Sequence, residues 1–414
     1  MTDHDSLPAR VPDQDSRQAR VTGQDSLQVR VTGQDSRQVG VTGQDSLQAR
    51  VQRTIDDLVA SGQETGIQVA AYLDGRMIVD ACAGVADPAT GRPVTADTPF
   101  FAYSTGKGLT STVVHVLAER GALDHDLPIA RVWPEFGRHG KDGVTLRHAL
   151  THSAGVPALP ADVTPTDFTD WERMCRIVAD SELRWAPGTA TGYHVWTYGW
   201  LVGEVVRRVT GRTVSQVLAE EVTGPLGLAG ELFLAVPGSE LGRLARLVDG
   251  NWSAMLATMR AHLPHFDLAV PPAVAPDAAF GNRADLLRAE LPAVGTVTAR
   301  GMARLYAALI GTLDGVRLVS PGRLTELSTT QIAGVDWTLG LEIAWGLGYG
   351  VDPDGSFGTG GVGGSLAYAY PELGLTVAAT KNRLSAGDGD PMEQLRVMIR
   401  DAVAGDGRPG ATTR

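Results

Sequence analysis

The residues in this chain best placed to do covalent chemistry lie in the stretch FFAYSTGKGLTSTVV, where Ser104 is followed three positions later by Lys107. Residues at i and i+3 share a helical face, so the lysine can reach the serine hydroxyl. The run after Ser104 reads as a helix. The hydroxyl would then sit at a helix N-terminus, where backbone N–H groups and the helix dipole favour an oxyanion. A lysine removed from water loses affinity for its proton and can serve as the base that activates the serine.

Three other spacings invite chemistry and are set aside. Gly358, Gly360 and Gly363 spell G-x-G-x-x-G, but a dinucleotide loop must open a helix. This one leads into LAYAY, an alternating strand-like run. His148 and His152 stand at i and i+4, yet the glutamate of a H-E-x-x-H zinc site is missing, so no metal is expected. Ser153, in THSAG, and Ser104 itself, in AYSTG, approach a nucleophile elbow, but both lack the first glycine.

The elements that must position these residues can be read from periodicity. Val51, Ile55, Leu58 and Val59 share one helical face that Gly62 terminates. GIQVAAYLDGRMIVDACAG reads as a hairpin turning at Asp74-Gly75. GLTSTVVHVLAERG is helical up to Gly121. From about 126 to 290 the chain is Pro-rich and helical or irregular, including WLVGEVVRRVTG. A further helix, TARGMARLYAALIGTL, starts near 297. The strands LAYAYP and LTVAAT follow, separated by Glu372, Leu373 and Gly374, and then the helix PMEQLRVMIRDAVAG. Strands from both ends of the chain therefore bracket a helical insertion. The expected fold class is α+β: an antiparallel sheet flanked by helices, built from 51–125 and 291–405, plus a mainly helical lobe over about 126–290.

Residues 1–50 carry a ten-residue repeat, approximately QDSLQARVTG, with Asp5, Asp15, Asp25, Asp35 and Asp45 each preceding a serine. One valine and one variable leucine per unit cannot bury a core, so this segment is expected to be a disordered tail. Residues 406–414 are expected to be a second flexible tail.

Beyond Ser104 and Lys107, four separated blocks occur in order. They are YSTGKGLTSTVVHVLAERGALDHDLPIARVWPEF; VTLRHALTHSAGVP; WAPGTATGYHVWTYGWLVGEVVRRVTGR; and FGTGGVGGSLAYAYPELGLTVAATKNR. Together they resemble the β-lactamase-like serine hydrolase family: class C β-lactamases, D-amino-acid peptidases, and related esterases and transesterases. The likeness runs over roughly 55–400, and the wording around Tyr193 and Tyr198 is similar to the carboxylesterase branch. The resemblance implies a β-lactamase/transpeptidase-like fold and an acyl-enzyme on Ser104. Lys107 and Tyr193 would share the proton, and the N–H groups of Ser104 and Val362 would form the oxyanion hole.

Two departures stand out. The second motif, Tyr193-His194-Val195, has valine where the family usually carries asparagine, and an apolar side chain cannot hydrogen-bond a substrate amide or the lysine. The third motif, Thr359-Gly360-Gly361, has no cation to attract a substrate carboxylate. Both favour ester substrates over β-lactams or peptides. The expected activity is therefore a carboxylesterase for small or medium acyl esters. The alternatives are an acyltransferase using an alcohol or amine acceptor on a specialised metabolite, and a non-catalytic binding protein on the same scaffold. Candidate substrate-pocket walls are Trp252, Met255, Met259, His262, His265 and Phe266.

Bulk properties narrow the partners. The 414 residues carry a net charge of −11, with 43% hydrophobic and 20% charged residues. That suits a globular protein and argues against nucleic acid or an anionic membrane surface, which need a concentrated basic face. No secretion signal or transmembrane run is evident, so a cytoplasmic location is expected. The two cysteines, Cys82 and Cys175, have no metal-ligand spacing and read as reduced thiols. No cofactor is expected.

Overall fold

The computed structural model describes residues 46–405 except Asp388. Six helices and nine strands carry the architecture. Helix α1 (Leu47–Ala60) starts four residues earlier than its apolar face suggests, because Ser46 accepts a hydrogen bond from Ala49 N–H as an N-cap. The expected tail boundary at residue 50 is thus corrected. Leu47–Arg50 are helical because Val51 and Ile55, next on the same helix, bury completely. The rest of that tail, and the tail 406–414, lie outside the described residues.

Strands β1 (Gly66–Leu73) and β2 (Arg76–Asp87) form the expected hairpin. Asp74 and Gly75 both take positive φ (48° and 75°), the turn geometry that matches right-handed strand twist. After the short β3 (Arg92–Pro93), the chain enters the helical segment through α2 (Lys107–Glu119). Helices α3 (Thr197–Thr210) and α4 (Trp252–His262) follow, α3 ending on Gly211 in the left-handed region (φ 68°). Helix α5 (Ala299–Ile310) then leads back to the sheet through β4 (Ile332–Val335), β5 (Glu342–Trp345), β6 (Gly350–Val351), β7 (Phe357–Gly360), β8 (Leu366–Tyr370) and β9 (Leu375–Lys381). Helix α6 (Pro391–Gly405) closes the fold.

All neighbours in the sheet are antiparallel, in the order β3-β2-β1-β9-β8-β7-β6-β5-β4. The side-chain period of two sorts β1 between two cores. Ile67, Val69 and Ala71 pack with Val51 and Ile55 of α1 and with Leu395 and Ile399 of α6. Ala70 and Tyr72 face the larger core, with Leu305 and Tyr306 of α5. The α+β class is as expected. Strands β4 to β7 were not anticipated. They are two to four residues long, too short for alternation to register.

The lobe division needs one correction. Residues 107–118 of α2 are buried, and their contacts include α3, Val214–Leu218 and the turn Ala219–Thr223 of the middle segment. The helix that carries the lysine therefore shares the core of the helical lobe, being buried on every face. Among the described residues no helix is long and apolar enough to cross a membrane.

The turn before α2 is held by backbone-to-backbone packing. A Cβ on Gly106 would lie 2.0 Å from Gly295 N and 2.3 Å from Val294 C. Gly106→Ala should therefore lower stability by about 3 kcal/mol in urea unfolding. Gly143→Ala, which meets nothing within 4 Å, should change it by no more than about 0.5 kcal/mol. Equal effects from the two substitutions would refute this reading.

Candidate active site

Ser104 lies in the 3₁₀ turn Tyr103–Gly106 that runs into α2. Tyr103 holds a positive φ of 47°, unusual for a bulky residue and costly unless the surroundings impose it. They do so from two sides. On one, Ala102 N–H donates to Gly295 O (2.8 Å) and Gly295 N–H to Tyr103 O (3.0 Å). On the other, Thr105 Oγ1 donates to Ser365 O (2.9 Å) and Thr359 Oγ1 to Thr105 O (3.0 Å). A Cβ on Gly361 would meet Ala102 O at 2.1 Å and Thr105 Oγ1 at 2.7 Å, so only glycine lets the end of β7 come this close. The Tyr103 hydroxyl also donates to Asp277 O.

Lys107 Nζ lies 3.2 Å from Ser104 Oγ, 2.8 Å from Val195 O and 2.9 Å from Ala293 O. Its ammonium is buried, sits 4.8 Å from the ring centre of Tyr193 and 5.7 Å from that of Tyr198, and has no carboxylate partner among these contacts. Desolvation holds its pKa well below the ordinary value of 10.5. Tyr193 lines both cavities beside Ser104, and burial pushes its phenol pKa up, so it stays protonated. Its ring stacks on Trp345 (5.6 Å, 2° between planes) and its backbone is held by Asp336 and Thr338. Tyr193 N–H donates to Asp336 Oδ1 (3.0 Å) and Thr338 Oγ1 donates to Tyr193 O (3.1 Å).

Two cavities meet at Ser104. One is a cleft of about 660 Å³, whose lining includes Lys107, His152, Tyr193, Glu342, Trp345, Asp352 and Thr359. The other is a pocket of about 280 Å³ with apolar walls from Val195, Trp252, Met259, Phe266, Val270 and Val362. Gly360 borders both, and Gly361 the second.

Sequence reasoning placed Ser104, Lys107 and Tyr193 together, and they do converge. Val195 requires a correction. Its side chain cannot hold the lysine, but its main-chain carbonyl does, and the side chain instead lines the apolar pocket. His194, taken as a substrate contact, is fully buried and lines neither cavity. Its Nε2 accepts from Val156 N–H (3.2 Å) and its Nδ1 donates to Gly192 O (2.6 Å). Thr359 is a stitch between β7, the serine turn and Tyr306, whose hydroxyl lies 3.1 Å from Thr359 Oγ1.

Of the pocket walls suggested earlier, Trp252, Met259 and Phe266 line the apolar pocket. His262 is exposed at the end of α4 with Nδ1 2.9 Å from Thr258 O, and His265 stacks on Trp337 (4.0 Å). The residues missed were Ala293, which holds the lysine through a carbonyl and so has no side-chain signature, and Trp345, which lies on an unanticipated strand.

The set-aside signals do not form the sites their spacings suggested, although His152, Gly358 and Gly360 line the cleft. Ser153 is buried with Oγ 2.8 Å from Thr151 Oγ1 and lines neither cavity. His148 accepts from Thr145 N–H (3.1 Å) and His152 from His194 N–H (3.1 Å), so the two rings serve separate main-chain donors. Among the described residues no three His, Cys, Asp or Glu side chains group as metal ligands. The glycines Gly358, Gly360 and Gly363 lead from strand to strand, as expected. Cys82 and Cys175 are free thiols.

A family model described as Beta-lactamase matches residues 51–399. The chain belongs to the β-lactamase family. Esterase/beta-lactamase LipL of Mycobacterium tuberculosis is 35% identical over 340 residues, covering 77% of each chain. Esterase EstB of Burkholderia gladioli is 26% identical over 408 residues, 86% of this chain and 94% of EstB. Among solved structures, a family VIII carboxylesterase superposes with a TM-score of 0.78 at 30% identity, covering 86% of this chain and 97% of its own. A penicillin-binding protein homolog from Caulobacter crescentus gives 0.77 at 33%, with the same coverage. These relatives are named as esterases, a β-lactamase, a carboxylesterase and a penicillin-binding protein homolog, and the fold is β-lactamase/transpeptidase-like.

The lysine environment makes a sign-definite prediction. A base must be deprotonated, and a lysine with a lowered pKa is neutral at all pH values above that lowered pKa. The acid limb of kcat/KM for ester cleavage should therefore fall well below 10.5. Lys107→Arg, which cannot deprotonate, should lower kcat/KM by about 10³-fold. A limb found only near 10.5 would contradict a desolvated base.

Proposed function

We propose that the protein is a serine carboxylesterase that forms an acyl-enzyme on Ser104 from small or medium acyl esters. The observation that carries this reading is the coordination of Lys107 Nζ. A neutral amine has two N–H donors and one lone pair. Two carbonyl oxygens take the donors, and the lone pair is left for the Ser104 hydroxyl.

The chemistry follows from that arrangement. Ser104 Oγ attacks the ester carbonyl carbon while its proton passes to Lys107 Nζ. The tetrahedral oxyanion rests between the N–H groups of Ser104 and Val362. The neighbouring N–H groups are already used, Thr105 by Ala102 O (3.2 Å) and Gly361 by Ser365 O (2.7 Å). Collapse breaks the bond to the leaving alcohol. The neutral phenol of Tyr193 protonates that oxygen and regains a proton from the Lys107 ammonium. Water then repeats the sequence on the acyl-enzyme, and the acid leaves. All of these steps use side chains and main-chain donors of this chain, with no cofactor.

The two cavities support an allocation. The apolar pocket suits the acyl chain, and the larger cleft suits the alcohol. Lys107 and His152, whose affinity for a proton burial lowers, are the basic side chains of the cleft lining, beside acidic Glu342 and Asp352. An anionic β-lactam would find no cation there, which favours uncharged esters. The same cleft leaves room for an alcohol or amine acceptor, so transfer would share this acyl-enzyme.

The test uses p-nitrophenyl esters of graded acyl length, with intact mass to detect acylation. Turnover and the adduct should vanish in Ser104→Ala and persist in Ser153→Ala. Met259→Trp should reduce kcat/KM for the longer esters by about 10-fold or more and spare the acetate. Added alcohols or amines that divert product would establish transfer. A wild type that neither turns over nor acylates would refute the esterase reading in favour of a binding role.

A further inference from the structure

The histidine in LTHSAG holds the two residues that flank Tyr193. His152 follows the helical turn Leu146–Leu150, is 1% exposed, and adopts a positive φ of 54°. Such a conformation in a β-substituted residue persists only where its surroundings demand it. Gly192 N–H donates to His152 O (3.0 Å), and His194 N–H donates to His152 Nδ1 (3.1 Å). The main chain is thus pinned immediately before and immediately after Tyr193. The imidazole itself lies 4.7 Å from the Tyr193 ring, edge-on, and 4.4 Å from Trp345. Trp345 stacks on the phenol, so the rings of His152, Tyr193 and Trp345 each touch the other two.

We infer that His152 is a positioning residue for the proton-transfer step at Tyr193, acting through Nδ1 as the acceptor for His194 N–H. This rests on the esterase reading for its kinetic consequence but not for its structural one. Because Nδ1 accepts, the ring proton resides on Nε2. Burial keeps the ring neutral, so the acceptor is retained. Asparagine can place Oδ1 near the position of Nδ1, glutamine can place its amide near Nε2, and leucine can do neither.

His152→Leu should lower kcat for ester cleavage by about 100-fold while leaving KM within about twofold, because the lost geometry concerns proton transfer rather than binding. His152→Asn should recover most of that loss, and His152→Gln should not. In a Tyr193→Phe background, His152→Leu should cost little more, since a residue acting through Tyr193 has nothing left to position. A purely structural residue would give additive losses and no selective rescue by asparagine. A second readout needs no turnover. The ¹³Cζ resonance of Tyr193, assigned by its disappearance in Tyr193→Phe, should shift in His152→Leu and return in His152→Asn. Full activity with an unmoved resonance in His152→Leu overturns the inference, as does rescue by glutamine rather than asparagine. Inactivity of the wild type overturns the esterase reading alone, and the tyrosine resonance still decides the positioning.

Discussion

The site depends on a close approach of three backbone segments around the serine turn. Gly295 lies against Gly106 on one side, and Gly361 lies against Ala102 and Thr105 on the other. Neither approach leaves space for a Cβ. The hydrogen bonds across them hold Tyr103 in an otherwise unfavourable conformation. A free loop with this sequence would relax to negative φ and turn Ser104 away from Lys107. The rigidity of a nine-stranded sheet on one side and a buried helix on the other is thus expressed at a single hydroxyl.

The same convergence desolvates the lysine. Helix α2 is buried on every face, its first turn and Lys107 included. Burying an ammonium with no carboxylate partner is costly. That desolvation lowers the group's affinity for its proton, and two carbonyl oxygens take up its N–H donors. One of those carbonyls belongs to Val195, the residue whose side chain departs from the family pattern. The substitution therefore leaves the orientation of the lysine intact and changes the wall of the pocket beside it. The departure at Thr359 has a similar character. A group that could carry charge is replaced by one that fastens β7 to the serine turn. Both changes lower the polarity of the surroundings while preserving the proton-transfer centre.

Much of the arrangement could be read from the chain alone, and the reasons are local. Ser104 and Lys107 are three residues apart, so helical geometry by itself brings them together. The hairpin at Asp74-Gly75, the glycine stop after α3 and the alternation in β1, β8 and β9 are short-range signals of the same kind. The likeness of four ordered blocks supplied Tyr193, which is distant in sequence and which no spacing argument could have joined to Ser104.

What only the tertiary structure decided are contacts made by main-chain atoms and by elements too short to show a period. The carbonyls of Val195 and Ala293 carry no side-chain signature, so the cradle of the lysine was invisible. His194 and Val195 are adjacent, yet burial sends one ring into backbone hydrogen bonds and the other side chain into a pocket wall. Strands β4 to β7 are two to four residues long and form because the sheet edge supplies partners; with them came Trp345 and one wall of the cleft. Residue types and near-neighbour spacing determined the nucleophile and its base. Which surfaces face the reacting carbonyl was settled by the packing of segments nearly two hundred residues apart, which joins Lys107 to Ala293 (186 positions).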